Sequence, residues 1–438
     1  FSKLVSMSNQ LLFHPRTVLK ALQAANILKD GAIPAKQLKL LQGWHDAIKD
    51  GSIHKQSEGN LHANFYSSLC EGILGYTSFT DKDKKTGVWT LANESAVKKT
   101  GRVDIGFGKF TDKEKLLIAP LELKSPKTTN MDIAMLGRTL STVEQAAKYA
   151  RNSEGNAQWF VVSNCIELRL YKFPYSDSIY QRWLIEELIQ PEKYAEFVLL
   201  LSAKNLLGGN TLRWFDDSRQ VEKDITNQLY TDYRNIRIKL INGMKRENNR
   251  FSRASMVTKA QTLLDRVLFI AYAEDRDLLP QKILNSYLNS ANDHLSEWDM
   301  LKLLFGHIDQ GKPDKGIPKY NGDLFKSDAS LEELSISKGL LEEFKRLSAY
   351  DFATDVSVTI LGHIFEQSIA DLDQIYESIN DQDELDLGKQ QQGTTGKRKQ
   401  DGVVYTPDFI TQWMVKHTLG AYLEKRKQEI KQAEDSAA

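Results

Sequence analysis

Apolar positions recur at helical spacing from about Ser8 to Ile53, at Val18-Leu19, Leu22 and Ile27, then Leu38, Leu40-Leu41, Trp44 and Ile48. This pattern predicts an N-terminal helical arm over 1–56. From Ser57 a helix through Leu61, Phe65, Leu69 and Ile73 stops at Gly75. The pattern then becomes strand-like at Val103 to Phe110, Leu116 to Leu123, Gln158 to Ser163 and Ile166 to Phe173, with a helix from about Thr142 to Arg151 between the second and third. A helix followed by strand, strand, helix, strand, strand predicts a mixed α/β domain over 57–208.

After Gly208-Gly209 the pattern turns helical and predicts an all-α domain over 209–380. Its clearest helix runs through Leu263-Leu264, Val267-Leu268, Ile270-Ala271 and Leu278-Leu279 and ends before Pro280. Asp381 to Asp386 is acidic and Lys389 to Lys399 carries no apolar residue, so 381–401 reads as a flexible linker. The last segment, 402–438, has a Pro-started helix from Asp408. No repeat of solenoid length is visible.

Charge adds an exclusion. The 438 residues carry 58 Lys+Arg against 58 Asp+Glu, a formal net charge of zero. A globally basic coat for nucleic acid is ruled out, and any contact with DNA must be made through local patches. No apolar run approaches the roughly 18–20 residues that a membrane-spanning helix needs. The start, Phe1-Ser2-Lys3-Leu4, has neither an initiator Met nor a signal-peptide pattern, which predicts a chain beginning inside a longer native one or after a trimmed tag. Cys70 and Cys165 each lie in an apolar run, as reduced buried thiols of a cytoplasmic protein do. The eight histidines form no His/Cys cluster of zinc-site spacing.

The sharpest chemical signal is Gly101-Arg102-Val103-Asp104 followed by Leu121-Glu122-Leu123-Lys124. Strand alternation puts Glu122 and Lys124 on one face and turns Leu121 and Leu123 into the core. If Asp104 lies on the neighbouring strand, two carboxylates converge and repel unless a cation sits between them. Such a site suits Mg²⁺, which would polarise a phosphodiester and acidify its bound water, while Lys124 orients that water or stabilises charge on the phosphate. The alternative is a solvated strand face, since acid and Lys neighbours also occur at Asp83-Lys84-Lys85 and Glu429-Ile430-Lys431, though neither sits in an apolar strand. Glu58 opens the preceding helix, as a further ligand or as a charge suited to a helix N-terminus. Gln145 and Tyr149 share a helix face: Gln145 is placed to meet a phosphate or the attacking water, and Tyr149 serves equally as a core aromatic.

In this order and on these elements, Glu58, Asp104, Glu122-Leu123-Lys124 and Gln145-x-x-x-Tyr149 resemble the PD-(D/E)XK nuclease superfamily, in its branch with a Gln-x-x-x-Tyr motif. Val103 stands where that superfamily usually has Pro. The resemblance implies a restriction-endonuclease-like α/β domain with a mixed central sheet flanked by helices, and Mg²⁺-dependent hydrolysis of phosphodiesters. It implies metal-ligand roles for Asp104, Glu122 and Glu58, and catalytic roles for these three with Lys124 and Gln145.

Flanking phrases, among them Ala119-Pro120-Leu121-Glu122-Leu123-Lys124, Gly137-Arg138 and Val162-Ser163-Asn164, resemble the nuclease end of single-chain type IIG restriction-modification enzymes. So do Leu264-Asp265-Arg266-Val267-Leu268-Phe269, Ala273-Glu274-Asp275 and Leu361-Gly362-His363-Ile364-Phe365-Glu366 downstream. Gly402-Val403-Val404-Tyr405-Thr406-Pro407 is similar to the opening of an adenine-N6 methyltransferase domain, which implies that Tyr405, Thr406 and Pro407 help form an S-adenosylmethionine pocket. No Asn-Pro-Pro or Asp-Pro-Pro follows. The resemblance therefore implies a type II site-specific deoxyribonuclease module and helical connector, acting on duplex DNA, with methyltransferase and target-recognition parts as partners in the same polypeptide and S-adenosylmethionine needed only by the full-length enzyme. The competing reading is a catalytically silent DNA-binding scaffold serving the methyltransferase.

One basic stretch stands out: Arg234, Arg237, Lys239, Lys245, Arg246, Arg250 and Arg253, interrupted by a single acid, Glu247. It reads either as a phosphate-contacting stripe or as a solvated helix face. Together with Lys127, just past the Glu122 strand, Arg234, Arg237, Lys245, Arg246, Arg250 and Arg253 form the expected DNA-contact set.

Overall fold

The computed structural model describes residues 11–97, 101–135, 137–153, 157–177, 179–320, 322–356 and 358–379, with short stretches beyond at 385, 406, 408–423, 425–426 and 429–430. The chain forms two compact units, Phe1–Val221 and Glu222–Ala438.

The first unit opens with α1 (Pro15–Ala25), α2 (Ala35–Lys49) and α3 (Glu58–Asn64). Proline begins α1, where its missing N–H is not needed, and the Ser57 hydroxyl accepts the Asn60 N–H to cap α3. A π-helical stretch, Phe65–Ile73, extends α3, and Gly75 at φ 73° ends it as its position in the sequence predicts.

A six-stranded sheet follows in sequential order: β1 (Trp89–Val97), β2 (Gly101–Phe110), β3 (Lys115–Leu123), β4 (Trp159–Ser163), β5 (Glu167–Lys172) and β6 (Gln181–Leu184). All neighbours are antiparallel except β3 and β4. A parallel pair needs a crossover, which the helix α4 (Thr142–Arg151) provides. Ser141 and Glu144 form a capping box at its start. The sheet is thus mixed, with helices flanking it. Strands β1 and β6 escape the sequence pattern because β1 is an edge strand with Asn, Glu and Ser in its span and β6 has only four residues.

The 1–56 segment is not a separate arm. Leu12, Phe13, Ala21, Ile33, Leu41, Trp44 and Ile53 belong to one apolar core with Ile105, Leu121, Leu123, Trp159 and Val161 of the sheet, and the Phe13 ring stacks on Trp159 with centroids 6.0 Å apart. α1 and α2 bury their apolar stripes there, as isolated amphipathic helices of that length cannot do alone. The opposite side of the sheet packs Phe160, Val162 and Tyr171 against Val143, Ala146, Ala147 and Ala150 of α4.

Two helices, α5 (Pro191–Leu201) and α6 (Ala203–Leu206), lead to α7 (Asn210–Glu247). Leu212, Trp214 and Phe215 of α7 pack on the first unit's core. The boundary therefore falls within α7, and not at Gly208-Gly209.

The second unit contains the rest of α7, then α8 (Arg253–Asp275), α9 (Ile283–Leu288), α10 (Glu297–Gln310), α11 (Ala329–Glu332), α12 (Lys338–Glu342), α13 (Phe344–Leu347) and α14 (Val358–Ser378). Among its described residues the elements are helical, with one isolated bridge between Lys312 and Ile317. Glu274 of α8 accepts the Leu284 N–H at 2.7 Å, and Asp275 accepts the Phe352 N–H at the same distance, so the α8 terminus organises two later segments.

Within the stretch read as a linker, Leu385 is docked: the Asn242 amide donates to its carbonyl at 2.9 Å and accepts its N–H at 3.0 Å. Lys389 to Lys399, Tyr405 and Pro407 lie outside the described residues, Thr406 is exposed, and a helix spans Asp408–Val415. Among the described residues no helix is long and apolar enough to cross a membrane.

Candidate active site

The β2–β3 ladder ends at the Ile105–Leu121 pair. Beyond it the N–H of Leu123 turns to a side chain: Asp104 Oδ2 accepts it at 2.8 Å. This bond brings the Asp104 carboxylate beside the end of β3, where Glu122 and Lys124 project. Both are buried, at 1% and 7% relative exposure, and Lys124 Nζ donates to Glu122 Oε1.

The other Glu122 oxygen, Oε2, is buried and meets no hydrogen-bond donor. Burial and, next, the negative charge of Asp104 push the Glu122 carboxyl up to about 7, against the opposing charges of Lys124 and Arg138. A buried carboxylate oxygen without a donor, beside a second carboxylate, has the donor chemistry of a hard divalent cation site that keeps several waters. Among the described residues no three His, Cys, Asp or Glu side chains converge on one point, and the two acids brought together here are Asp104 and Glu122.

Glu58 stands apart from that pair in its contacts. It is exposed at the first turn of α3, with Oε1 4.0 Å from His62 Nε2. Its charge reaches the buried Cys165 thiol, which burial pushes up to about 12 and makes unreactive.

Helix α4 closes another side. Gln145 Nε2 donates to the Tyr149 hydroxyl at 3.2 Å, and Arg138 Nη1 donates to Gln145 Oε1 at 3.4 Å. Burial raises the Tyr149 hydroxyl, and the charges of Glu122 and Asp104 add to this, which places Gln145, Tyr149 and the carboxylates in one electrostatic neighbourhood. Tyr149 is also part of a small apolar cluster with Val103, Phe110 and Leu117, which is the packing of a core aromatic. Gly101 adopts φ 116°, a backbone conformation suited to glycine, and a β-carbon at this position would lie 3.8 Å from the Tyr149 hydroxyl.

The turn after β4 supports the end of β3, and sequence reasoning assigned it no role. Lys124 N–H donates to Ser163 O at 2.8 Å, and Cys165 Sγ donates to Lys124 O at 3.6 Å. Asn164 Nδ2 donates to Thr128 O at 2.9 Å while its Oδ1 accepts the N–H groups of Ile166 and Glu167. Its sequence signal was a Ser-Asn pair closing an apolar strand, a turn former that also reaches sideways.

Lys127 is exposed in the loop after β3. The basic stretch, in contrast, is not a DNA-facing stripe. Arg237 has no exposed surface and is bound to Asp371 at 2.8 Å and to the Ser368 hydroxyl at 2.8 Å. Arg253 is buried and donates to Asn242 Oδ1. Lys245 caps the end of α7 through the carbonyls of Asn249 and Phe251, Arg250 pairs with Glu333, and Lys239 pairs with Glu343. Arg234 is half-buried, and Arg246 remains exposed. Around this core helix Arg237 meets Asp371 and Ser368 on α14, Lys239 meets Glu343 just after α12 and Arg250 meets Glu333 just after α11, partners that the local sequence does not contain.

No family profile matches the chain. It is 28% identical over 200 residues to a Methanocaldococcus jannaschii protein provisionally named a type II restriction enzyme and methyltransferase, covering 39% of this chain and 15% of that protein. The chain thus spans under a sixth of that relative's length. Among solved structures, the cryo-EM structure of a DrdV–DNA complex aligns with 78% of this chain and 29% of that one, at 14% identity and a TM-score of 0.25. Over the matched residues the chain is similar to part of a restriction-modification polypeptide.

Proposed function

We propose that the chain is the nuclease part of a restriction-modification polypeptide, cutting duplex DNA as a Mg²⁺-dependent type II deoxyribonuclease of the type IIG kind. The observation that carries this reading is the Glu122 carboxylate, buried with one oxygen on Lys124 and the other unpartnered, beside an Asp104 carboxylate oriented by Leu123. The similarity to a restriction enzyme and methyltransferase supports it.

Asp104 and Glu122 are the residues that would hold Mg²⁺. When bound, the ion supplies a lowered pKa for water and a positive charge for the scissile phosphate. Lys124 favours the ionised form of Glu122 against burial and the Asp104 charge, and holds one of its oxygens in place. Gln145, held through its amide by Tyr149 and Arg138, presents a polar group to the attacking water or a phosphate oxygen. Lys127, exposed beyond β3, contacts the DNA backbone. Sequence choice and methylation from S-adenosylmethionine belong to the remainder of the polypeptide, to which Tyr405, Thr406 and Pro407 lead, and DNA binding by this chain alone is driven by phosphates.

The test is conversion of supercoiled plasmid to nicked and linear forms by the full-length polypeptide. Cleavage that requires Mg²⁺ and is lost in Asp104→Asn is expected. DNA binding without cleavage under every divalent-metal condition would overturn the reading in favour of a silent scaffold.

A further inference from the structure

Hydrolysis of a phosphodiester forms a P–O bond to the water oxygen and breaks the bridging P–O bond, whose oxygen leaves with the electron pair and takes up a proton. Negative charge builds on the non-bridging oxygens in between, and a positively charged group fixed beside them lowers the barrier. The obvious cation, Lys124, is 7% exposed and engaged by Glu122. An ammonium tied to a buried carboxylate has little freedom to meet an incoming phosphate.

We propose that Arg138 is a further catalytic residue, the group that grips the scissile phosphate. This rests on the nuclease reading of the Asp104 and Glu122 site. Three features carry it. Arg138 is exposed, unlike Lys124. Its guanidinium is anchored through one N–H on Gln145 Oε1 at 3.4 Å, which leaves further N–H groups of the fork for phosphate oxygens. Its backbone is held as well: Gly137 adopts φ 79°, and the Arg138 N–H closes a turn onto Met135 O at 2.9 Å, next to the capped start of α4. The positive charge acts on both Glu122 and Tyr149, so the guanidinium belongs to the same electrostatic neighbourhood as the carboxylates. Gln145 then has a second duty, as the anchor that aims Arg138.

Arg138→Ala and Arg138→Lys are compared with the unaltered full-length polypeptide and with Asp104→Asn. The cleavage rate of Arg138→Ala at saturating plasmid should fall by about 10²–10³-fold, the usual loss for one transition-state donor. Its affinity for a labelled duplex without divalent metal should show a salt slope smaller by about 0.9, the loss of one phosphate contact. Arg138→Lys should keep the slope and lose rate, because a point charge does not reproduce the fork. Calorimetric Mg²⁺ binding without DNA should remain within about twofold of the parent in both. Parent-like cutting or an unchanged salt slope in Arg138→Ala, with Asp104→Asn inactive, overturns the role of Arg138 alone. If Asp104→Asn also cuts normally, cleavage does not depend on the Asp104 and Glu122 site, and this inference fails with that assignment.

Discussion

Asp104 Oδ2 and the backbone N–H of Leu123 are joined at 2.8 Å, and through this bond an acid on β2 is fixed by the residue that separates Glu122 from Lys124. Leu123 is therefore more than a core side chain between two charges, because its peptide sets the approach of the carboxylates. Electrostatic repulsion alone would drive Asp104 away from Glu122.

This bond separates the charge of Asp104 from its structural duty. Asp104→Asn keeps an acceptor for Leu123 and should fold as the parent does, whereas Asp104→Ala also loses the bond and should be less stable by about 1 kcal/mol. Both should lose cleavage by about 10²-fold or more. Plasmid cleavage and thermal melting, measured side by side, check the separation.

Removing Lys124 should act on metal binding as well as on turnover. Lys124 opposes the burial and the Asp104 charge that push Glu122 up to about 7. In Lys124→Ala the carboxyl rises further, so less of it is ionised at neutral pH, and Mg²⁺ binding should weaken by about tenfold at pH 7 and recover as pH rises. Calorimetric titration with Mg²⁺ at pH 7 and pH 8.5 checks this; equal weakening at both values would contradict it.

Arg237 should matter to stability and not to DNA. Its guanidinium is fully buried against Asp371 and Ser368. Arg237→Ala removes the ion-pair partner of the buried Asp371 carboxylate, leaving it the Tyr230 hydroxyl at 2.6 Å, and should cost about 3 kcal/mol. Denaturant unfolding measures the loss, and the salt slope of DNA binding in Arg237→Lys, or in any other folded variant at this position, should stay at the parent's value.

Glu274 supplies a pH signature. Burial, the largest influence, pushes its carboxyl from 4.5 up to about 7 while it accepts the Leu284 N–H. Between those values the folded chain holds a proton that the unfolded chain has released, so this group's contribution is complete below about 4.5 and is lost as pH rises through about 7. Glu274→Gln keeps an acceptor and has no proton to lose. Relative to the parent it should gain on the order of 2 kcal/mol above pH 8 compared with pH 5. Chemical denaturation of both proteins across that range decides it.

Much of this was written into local sequence. Alternation in Leu121-Glu122-Leu123-Lys124 decided which side chains enter the core, and the Ser141 and Glu144 pair marked the start of α4, because strand parity and helix capping depend on residues only a few positions apart. The facing of Gln145 and Tyr149 was legible for the same reason. Three features were decided only by the tertiary structure. The parallel pairing of β3 with β4 puts the Ser163-Asn164-Cys165 turn under Lys124, a contact made across about forty residues of chain. The burial of Glu122, with one oxygen bound and the other unpartnered, depends on what packs over the sheet, and it converts an ordinary carboxylate into one that ionises near neutrality. The fate of Arg237 turned on Asp371, far away in the sequence on α14. A charge pattern shows where cations occur along a helix, but whether each meets solvent, DNA or a buried acid is set by the free energy of desolvation and pairing, which exists only once the distant partner is in place.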